Sequence, residues 1–527
     1  MSTASRGNLH SGLSWLAFGL AVASFTWFWL PYRDYWIDDA FITFRYARNL
    51  AAGFGPVYNP GEFVEGYTSF LWMLASAVPF ALTSESGALL ALAWSGWVFG
   101  ICILYRVFTF PDPDGPARRI SVLLLATYPL FVINCGDGLE TPLFMLLLVE
   151  LARAMVTPPS RASGMRVGLL TAAMTLTRPE SLPLLVALPL VHLYALRADA
   201  APASRVEFKA WLVAFLVSGL LPVLVHEAWR WLYYGQPLPN TYYAKATGSQ
   251  LVRLKRGCRD LSMFFYWSPW VRPVTLWLSL LLAGLVQWVL IRRGGVRVRR
   301  WSCVLWLMLF FRVSFDLWSG GEAMGDSRFI TPMLIPLLIV ADLGIRVLWK
   351  GGARFLILIG FVGALGFNVI GNANHVAKTW SYREGLERGH IALGRWLREH
   401  YPEDSLVAMG DAGATPFFSR MRVIDLWGLN NAVIAHMPGE YGARQGVGDL
   451  VLSRDPDVVV IWNLRPFYEG GQARVRGAQS FDRQIVSHPD FQRRYRFARE
   501  FVFAEQVGER AGYYLTVFER RQGEATR

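Results

Sequence analysis

The 527-residue chain is 53% hydrophobic and carries 22 tryptophans, with only 17% charged residues. That is too apolar for a water-soluble protein of this length and points to a multi-span membrane protein. The net charge of +13 comes mostly from arginines that cluster between apolar runs, which argues against a nucleic-acid surface and for membrane orientation.

The first apolar run, Leu13 to Leu30, is too long for a typical signal-peptide core. It also lacks a small-residue cleavage site before the acids that follow, so it reads as a retained anchor. Directly after it comes "WIDDAFITFRYARNL" (36–50), with Asp38 and Asp39 side by side. At about 100° per residue, Asp38, Arg45 and Arg48 share one helical face. A carboxylate and guanidinium groups at the water–membrane boundary suit chemistry on a lipid phosphate, the acid meeting a hydroxyl and the arginines a departing phosphate. The same spacing fits a helix cap with a structural Asp–Arg pair equally well. Gly53, Gly55, Pro56, Pro60 and Gly61 then impose turns on a loop that adds Glu62 and Glu65, before "YTSFLWMLASAVPFAL" (67–82), which we expect to lie along the outer interface.

A span needs about 20 apolar residues. Candidates fall at 12–31, 87–108, 119–134, 141–157, 167–178, 180–196, 210–233, 273–291, 301–317, 329–347 and 355–371. With the amino terminus cytoplasmic, the internal loops hold Arg106, Arg118, Arg119, Arg153, Arg161, Arg166, Arg197, Arg205, Lys209, the run "RRGGVRVRR", Arg346, Lys350 and Arg354. That asymmetry gives eleven spans and an outer carboxyl terminus. Polar insertions then fall at outer span ends: "GDGLETPLF" (Asp137, Glu140), "LTRPES" (Arg178, Glu180), "GQPLPNTYYAK" (Asn240, Tyr242, Tyr243, Lys245) and "SGGEAMGDSRF" (Glu322, Asp326, Arg328). Each alone reads as a topological anchor, whereas together they suggest a shared polar cavity. Cys102, Cys135, Cys258 and Cys303 have no metal spacing and read as free thiols, a Cys135–Cys258 bridge being the one alternative.

Beyond residue 371 the composition turns charged and turn-rich. "REGLERGHIALGRWLREH" carries an amphipathic stripe at Leu386, Leu393 and Leu397. "LVAMGDAG", "RVIDLWGL" and "DVVVIW" read as short buried strands, and "REFVFAEQVGERAGYYLTVFER" as a hairpin around Gly508 and Gly512. We therefore expect an outer α/β domain over 372–527, with Asp411 at a strand end where such sheets bind ligands, here the acceptor.

The segments "DDAFITFRYARNLAAGFGPVYNPGEFVEGYTSFLW", "GLETPLF", "LTRPE", "LPNTYYAK" and "GDAGATPFFSRMRVIDLWGLNN", in this order, resemble the GT-C membrane glycosyltransferases of the mycobacterial arabinofuranosyltransferase type. The resemblance implies a GT-C transmembrane catalytic domain over 1–371 with its first extracytoplasmic loop at 32–86. It also implies a multi-pass protein of a bacterial cytoplasmic (inner) membrane with an extracytoplasmic active site. The donor would be a sugar on polyprenyl monophosphate, most readily D-arabinofuranose, and the acceptor a surface glycan or protein. Asp38 and Asp39 correspond to the catalytic acids. Arg45, Arg178 and Lys245 are candidates for the donor phosphate. Glu65, Tyr67, Glu140, Glu180, Asn240, Tyr243, Glu322 and Arg328 are candidates for substrate binding. Glu322 replaces the Asp of the Gly-Gly-Asp segment found in relatives. No cofactor is called for, although one of the two acids could hold a divalent metal ion. A hexose (mannose-type) transferase or an oligosaccharide ligase or polymerase shares this chemistry. A transporter fits less well, since no inverted repeat is evident.

Overall fold

A computed structural model describes residues 3–110, 117–155, 157–197, 202–247, 249–265, 296–321, 328–350, 352, 354–469, 472–473, 475–505 and 511–521. The chain divides into two compact units, one of Met1–Asp34, Leu92–Glu227 and Ser249–Val376, the other of Tyr35–Ala91, Ala228–Gly248 and Ala377–Arg527.

The first unit is helical. Among the described residues four stretches are long and apolar enough to cross a membrane: Gly12–Tyr32, Glu85–Phe108, Val206–Tyr234 and Arg354–His400. The expected eleven spans are thus matched only in part. The stretch at 119–134 is interrupted at Tyr128–Pro129, between helices Ala117–Thr127 and Pro129–Asn134. Proline cannot donate to the preceding turn, and its ring disfavours helical geometry in the residue before it. Helices Thr141–Met155 and Arg161–Thr177 have 15 and 17 residues. At 1.5 Å per residue they reach about 22–26 Å, short of the roughly 30 Å hydrocarbon core. Helix Phe70–Leu82, with 13 residues, is shorter still, as expected of a segment that does not cross. The expected span at 273–291 lies outside the described residues. All four cysteines are unbridged.

The second unit is built on a five-stranded sheet of order β2-β1-β3-β7-β6. Its strands are β1 (Leu406–Met409), β2 (Arg422–Asp425), β3 (Val458–Asn463), β6 (Tyr495–Ala504) and β7 (Tyr513–Arg520), while β4 (Tyr468–Glu469) and β5 (Gln472–Ala473) form a separate small ladder. Strand β1 pairs in parallel with β2 and β3. β7 runs antiparallel to both β3 and β6, with Val460 opposite Val517 and Phe501 opposite Leu515. The apolar runs of β1 and β3 are buried on both faces, as parallel strands require. On one face Val407, Met409, Val458 and Val460 pack with Ile42, Tyr46 and Ala47 of helix Asp38–Ala51 and with Leu393 and Leu397. On the other, Ala408, Ile424, Val459 and Ile461 meet Ile434, Val451, Phe481 and Ile485.

The loop at 35–91 therefore packs with the C-terminal sheet as one unit, whereas sequence composition had grouped it with the helical domain. Its helix Asp38–Ala51 buries nine of its residues, Arg45 and Asn49 included, because its second face meets protein and not water.

Candidate active site

The site is built where helix Asp38–Ala51 begins. Pro31 lies in the 3-10 turn Leu30–Tyr32 that follows the first long helix, and Ile37 is extended, so Asp38 and Asp39 open the next helix. Carboxylates are favoured there by the partial positive charge of the helix amino terminus. Asp38 does not cap its own helix. Its Oδ1 accepts from the Ala414 amide at 2.7 Å and its Oδ2 from the Gly413 amide at 3.2 Å, in the loop that leaves β1. The Asp38 amide in turn donates to the Tyr382 hydroxyl at 3.1 Å.

Gly413 is glycine for a reason of space. A Cβ at that position would sit 2.0 Å from the Asp38 carbonyl oxygen and 2.5 Å from its carboxyl carbon. Since that neighbour is partly backbone, a side chain must push the β1 loop off the acid. We expect Gly413→Ala to reduce turnover by about 10²-fold, the scale of a shift of roughly 1 Å in an active-site group. The check is turnover per folded molecule; unchanged turnover would mean that the contact is dispensable.

Burial pushes the Asp38 carboxyl up from 3.8 to about 6; His390 opposes the rise, and Asp411 and Asp39 add to it. His390 is 2% exposed and sits in a π-turn, Glu387–Ile391, where the amphipathic helix is locally underwound. Its carbonyl accepts from the Thr415 hydroxyl at 2.9 Å, and its ring packs on Phe503 and Tyr513. The Tyr513 hydroxyl donates to Asp411 Oδ1 at 2.7 Å. Sequence reading does not single out His390, because a lone histidine on an amphipathic helix carries no spacing signal.

The Tyr441 hydroxyl is held protonated by burial and by the charges of Asp425 and Asp39. Lys245 Nζ lies 5.9 Å from the centre of that ring, so Lys245 and the acid pair belong to one unit. Asp425 accepts from Trp427 N, Asn430 N and Asn430 Nδ2, fixing the turn that carries Trp427.

Several expected site residues serve as scaffold instead. Arg45 is 1% exposed. It donates to the carbonyls of Tyr58 (2.8 Å), Pro416 and Met421 (2.7 Å) and to Asn59 Oδ1 (3.1 Å). Four of its five N–H groups are thereby taken, which corrects the phosphate assignment. Glu65 pairs with Arg230 at 2.7 Å in a buried position, and the Tyr67 hydroxyl meets that of Tyr234 at 3.1 Å. Asn240 Nδ2 donates to the carbonyls of Gly428 and Leu429, and the Tyr243 carbonyl accepts from Arg444. These bonds dock "LPNTYYAK" onto the turn after β2 and onto Arg444 further along the chain.

Arg178, Glu140, Glu180 and Arg328 belong to the other unit. There Arg178 donates to Glu140 at 2.8 Å, to Thr141 Oγ1 at 2.8 Å and to the Arg328 carbonyl at 3.1 Å, so its guanidinium is also committed to protein. Glu180 pairs with Arg312 at 2.9 Å, a partner that sequence reasoning did not single out. Glu322 lies outside the described residues. Among the described residues no group of three or more His, Cys, Asp or Glu side chains converges at metal-ligating distance.

Residues 376–518 match a family described as a domain of unknown function, DUF8728. Two curated relatives carry the name terminal beta-(1->2)-arabinofuranosyltransferase. The one from Corynebacterium glutamicum is 27% identical over 381 residues, covering 63% of this chain and 51% of the relative. The one from Mycobacterium tuberculosis is 30% identical over 276 residues, covering 48% and 41%. The chain thus spans about half the length, or less, of the curated relatives it matches. In fold it is similar to ArnT from Cupriavidus metallidurans in the apo state, with TM-score 0.56 and 14% identity over 96% of this chain and 98% of that one. This likeness is one of fold alone.

Proposed function

We propose that this chain is a membrane glycosyltransferase that moves a sugar, D-arabinofuranose, from a polyprenyl-phosphate donor to an acceptor hydroxyl on the extracytoplasmic face. The observation that carries the reading is Asp38, a carboxylate shifted towards neutrality beside Asp39, six residues beyond the first membrane-length helix and gripped by the β1 loop of the outer sheet. The names of the two relatives support the transferred sugar.

In this reading the acceptor oxygen bonds to the anomeric carbon as the bond from that carbon to the phosphate oxygen breaks. The hydroxyl proton passes to Asp38, and polyprenyl phosphate departs with the bonding pair. Asp39 offsets the positive charge that develops on the ring. Lys245, in the same unit as Asp38 with its ammonium by the Tyr441 ring, is the cation we assign to the leaving phosphate. A group titrating near 6 is mostly ionised at neutral pH and still basic enough to take a proton.

This gives a pH dependence of known sign. The active form of Asp38 is the carboxylate, so turnover at fixed saturation should hold above about pH 7 and fall through pH 6. Well below the pKa the loss approaches about tenfold per pH unit. A profile flat between pH 5 and 8 would remove Asp38 from the role of base.

The reading is tested by incubating the full chain in membranes with polyprenyl-phosphate arabinofuranose, with polyprenyl-phosphate mannose and with a lipid-linked oligosaccharide. Release of polyprenyl phosphate with pentose in the product is expected. Transfer from only one of the other two donors would assign the chain to hexose transfer or to ligation.

A further inference from the structure

The helical unit holds a cluster of charge made by the ends of three helices. Arg106 lies in the last turn of helix Glu85–Phe108, Glu150 and Arg153 in the last two turns of helix Thr141–Met155, and Arg166 in the second turn of helix Arg161–Thr177. All three arginines close on Glu150. Arg106 Nη2 donates to Glu150 Oε2 at 2.8 Å and Arg106 Nε to Oε1. Arg166 Nη2 donates to Oε2 at 2.6 Å, and Arg153 Nε stands 3.8 Å from Oε1. Arg153 Nη1 also donates to the carbonyls of Arg106 (3.0 Å) and Thr109 (2.6 Å), which satisfies part of the carboxyl end of helix Glu85–Phe108.

The charges do not balance. Three guanidiniums face one carboxylate, and among the described residues no other acid pairs with them. The carboxyl ends of helices Glu85–Phe108 and Thr141–Met155 add about half a negative charge each, which leaves an excess of about one positive charge. Guanidiniums held this close repel one another unless an anion offsets them. Arg166 is the member turned outward, with half of its side chain exposed and, among the described residues, one of its five N–H groups bonded to protein. Apolar surface surrounds the cluster. Tyr105 and Phe108 flank Arg106 in the chain and meet the first long helix, Phe18 with Tyr105 at 6.0 Å, Phe18 with Phe108 at 4.9 Å and Trp15 with Phe108 at 5.2 Å. Trp15 and Tyr105 are exposed, and exposed Trp and Tyr mark the membrane–water boundary. Beside Arg166, Met165 precedes it and Leu169 lies one turn on along the same face, and both are exposed.

We propose that the cluster of Arg106, Arg153 and Arg166 is a headgroup site for an anionic phospholipid of the surrounding bilayer, its phosphodiester bound by Arg166 and Arg106 and an acyl chain running along Met165 and Leu169. The choice of ligand follows from charge and surroundings. A guanidinium fork matches the oxygens of a phosphate. One phosphodiester carries the single negative charge that the cluster lacks. A bilayer lipid also brings that charge to the membrane boundary together with a chain for the exposed apolar side chains, which a soluble anion does not. Basic pockets between membrane helices bind anionic headgroups in this way, and in the topology expected from the arginine asymmetry this one faces the inner leaflet. The site belongs to the helical unit and not to that of Asp38, so the inference goes beyond the transferase reading and does not depend on it.

The test titrates the purified full chain, delipidated in dodecyl maltoside, with dioleoylphosphatidylglycerol and separately with dioleoylphosphatidylcholine. Bound lipid is counted by native mass spectrometry. Wild type should bind the anionic lipid at least about tenfold more tightly, since each arginine near a headgroup contributes about fivefold. Arg166→Gln changes a half-exposed side chain and should weaken phosphatidylglycerol by about fivefold while phosphatidylcholine binds as before. Equal affinity for the two lipids in wild type, or an anionic preference undiminished in Arg166→Gln, overturns the site. An equal loss for both lipids in the variant also overturns it, because that is the mark of a structural arginine. Glycerol 3-phosphate, the charge without the chains, should leave the bound lipid in place. Displacement at equal concentration would make the ligand a free phosphate and overturn the lipid site.

Discussion

Asp38→Asn is expected to abolish sugar transfer while the protein still folds. The amide keeps the side-chain shape and one oxygen, enough to accept from Ala414 N, the shorter of the two bonds. It loses the second acceptor and places an NH₂ against the Gly413 amide, a local cost of about 1–3 kcal/mol. Catalysis loses much more, since an amide cannot take the acceptor's proton. A positioned base contributes about 10²–10⁴-fold, so the two effects are separable on one sample. Transfer per folded molecule and thermal stability should be recorded together. A purely structural Asp38 would show the opposite pattern, with lowered stability and near-normal turnover in the surviving protein. Asp39→Asn provides the parallel comparison. If it alone abolishes transfer, the two acids exchange roles.

Arg45→Ala should produce the largest loss of stability of any single change in the unit. The guanidinium joins the first loop, through the Tyr58 carbonyl and Asn59, to residues 416 and 421 of the sheet's connections. It also stacks on the Tyr58 ring, 4.4 Å from its centre. Removing it leaves several buried carbonyls without donors and a cavity the size of a long side chain. Together these cost about 3–5 kcal/mol, on the order of 10 °C in melting temperature for a unit of this size. Arg45→Lys should recover little, since one ammonium cannot replace a fork of four bonds. A phosphate-binding Arg45 would behave differently, with an unchanged melting temperature and a raised donor KM.

The strands were legible because β1 and β3 up to Trp462 are unbroken apolar runs, as sheets covered on both faces must be. Asp38 and Asp39 were legible as an adjacent acid pair shortly after a membrane-length helix. The helical spacing that placed Asp38 and Arg45 on one face was also right, and both point into the 413–421 segment. What the spacing could not say is that this face packs against protein some 370 residues away in the chain, and that is why Arg45 binds carbonyls and not a lipid phosphate. Gly413 and His390 were not singled out for the same reason. Their significance lies in contacts across the sequence, and the π-turn at Glu387–Ile391 breaks the period from which a helix face is read. Shorter helices hid the count of spans, because apolar composition alone does not report where a proline or a turn interrupts a run.

The most direct measurement is transfer of labelled arabinofuranose from a synthetic polyprenyl-phosphate donor by the purified full chain in nanodiscs. It should be run beside the double variant Asp38→Asn, Asp39→Asn at matched folded concentration. The account predicts labelled pentose on an arabinofuranoside acceptor, one polyprenyl phosphate released per transfer, and no product above background from the double variant. Labelled product formed by the double variant at near wild-type rate would contradict it.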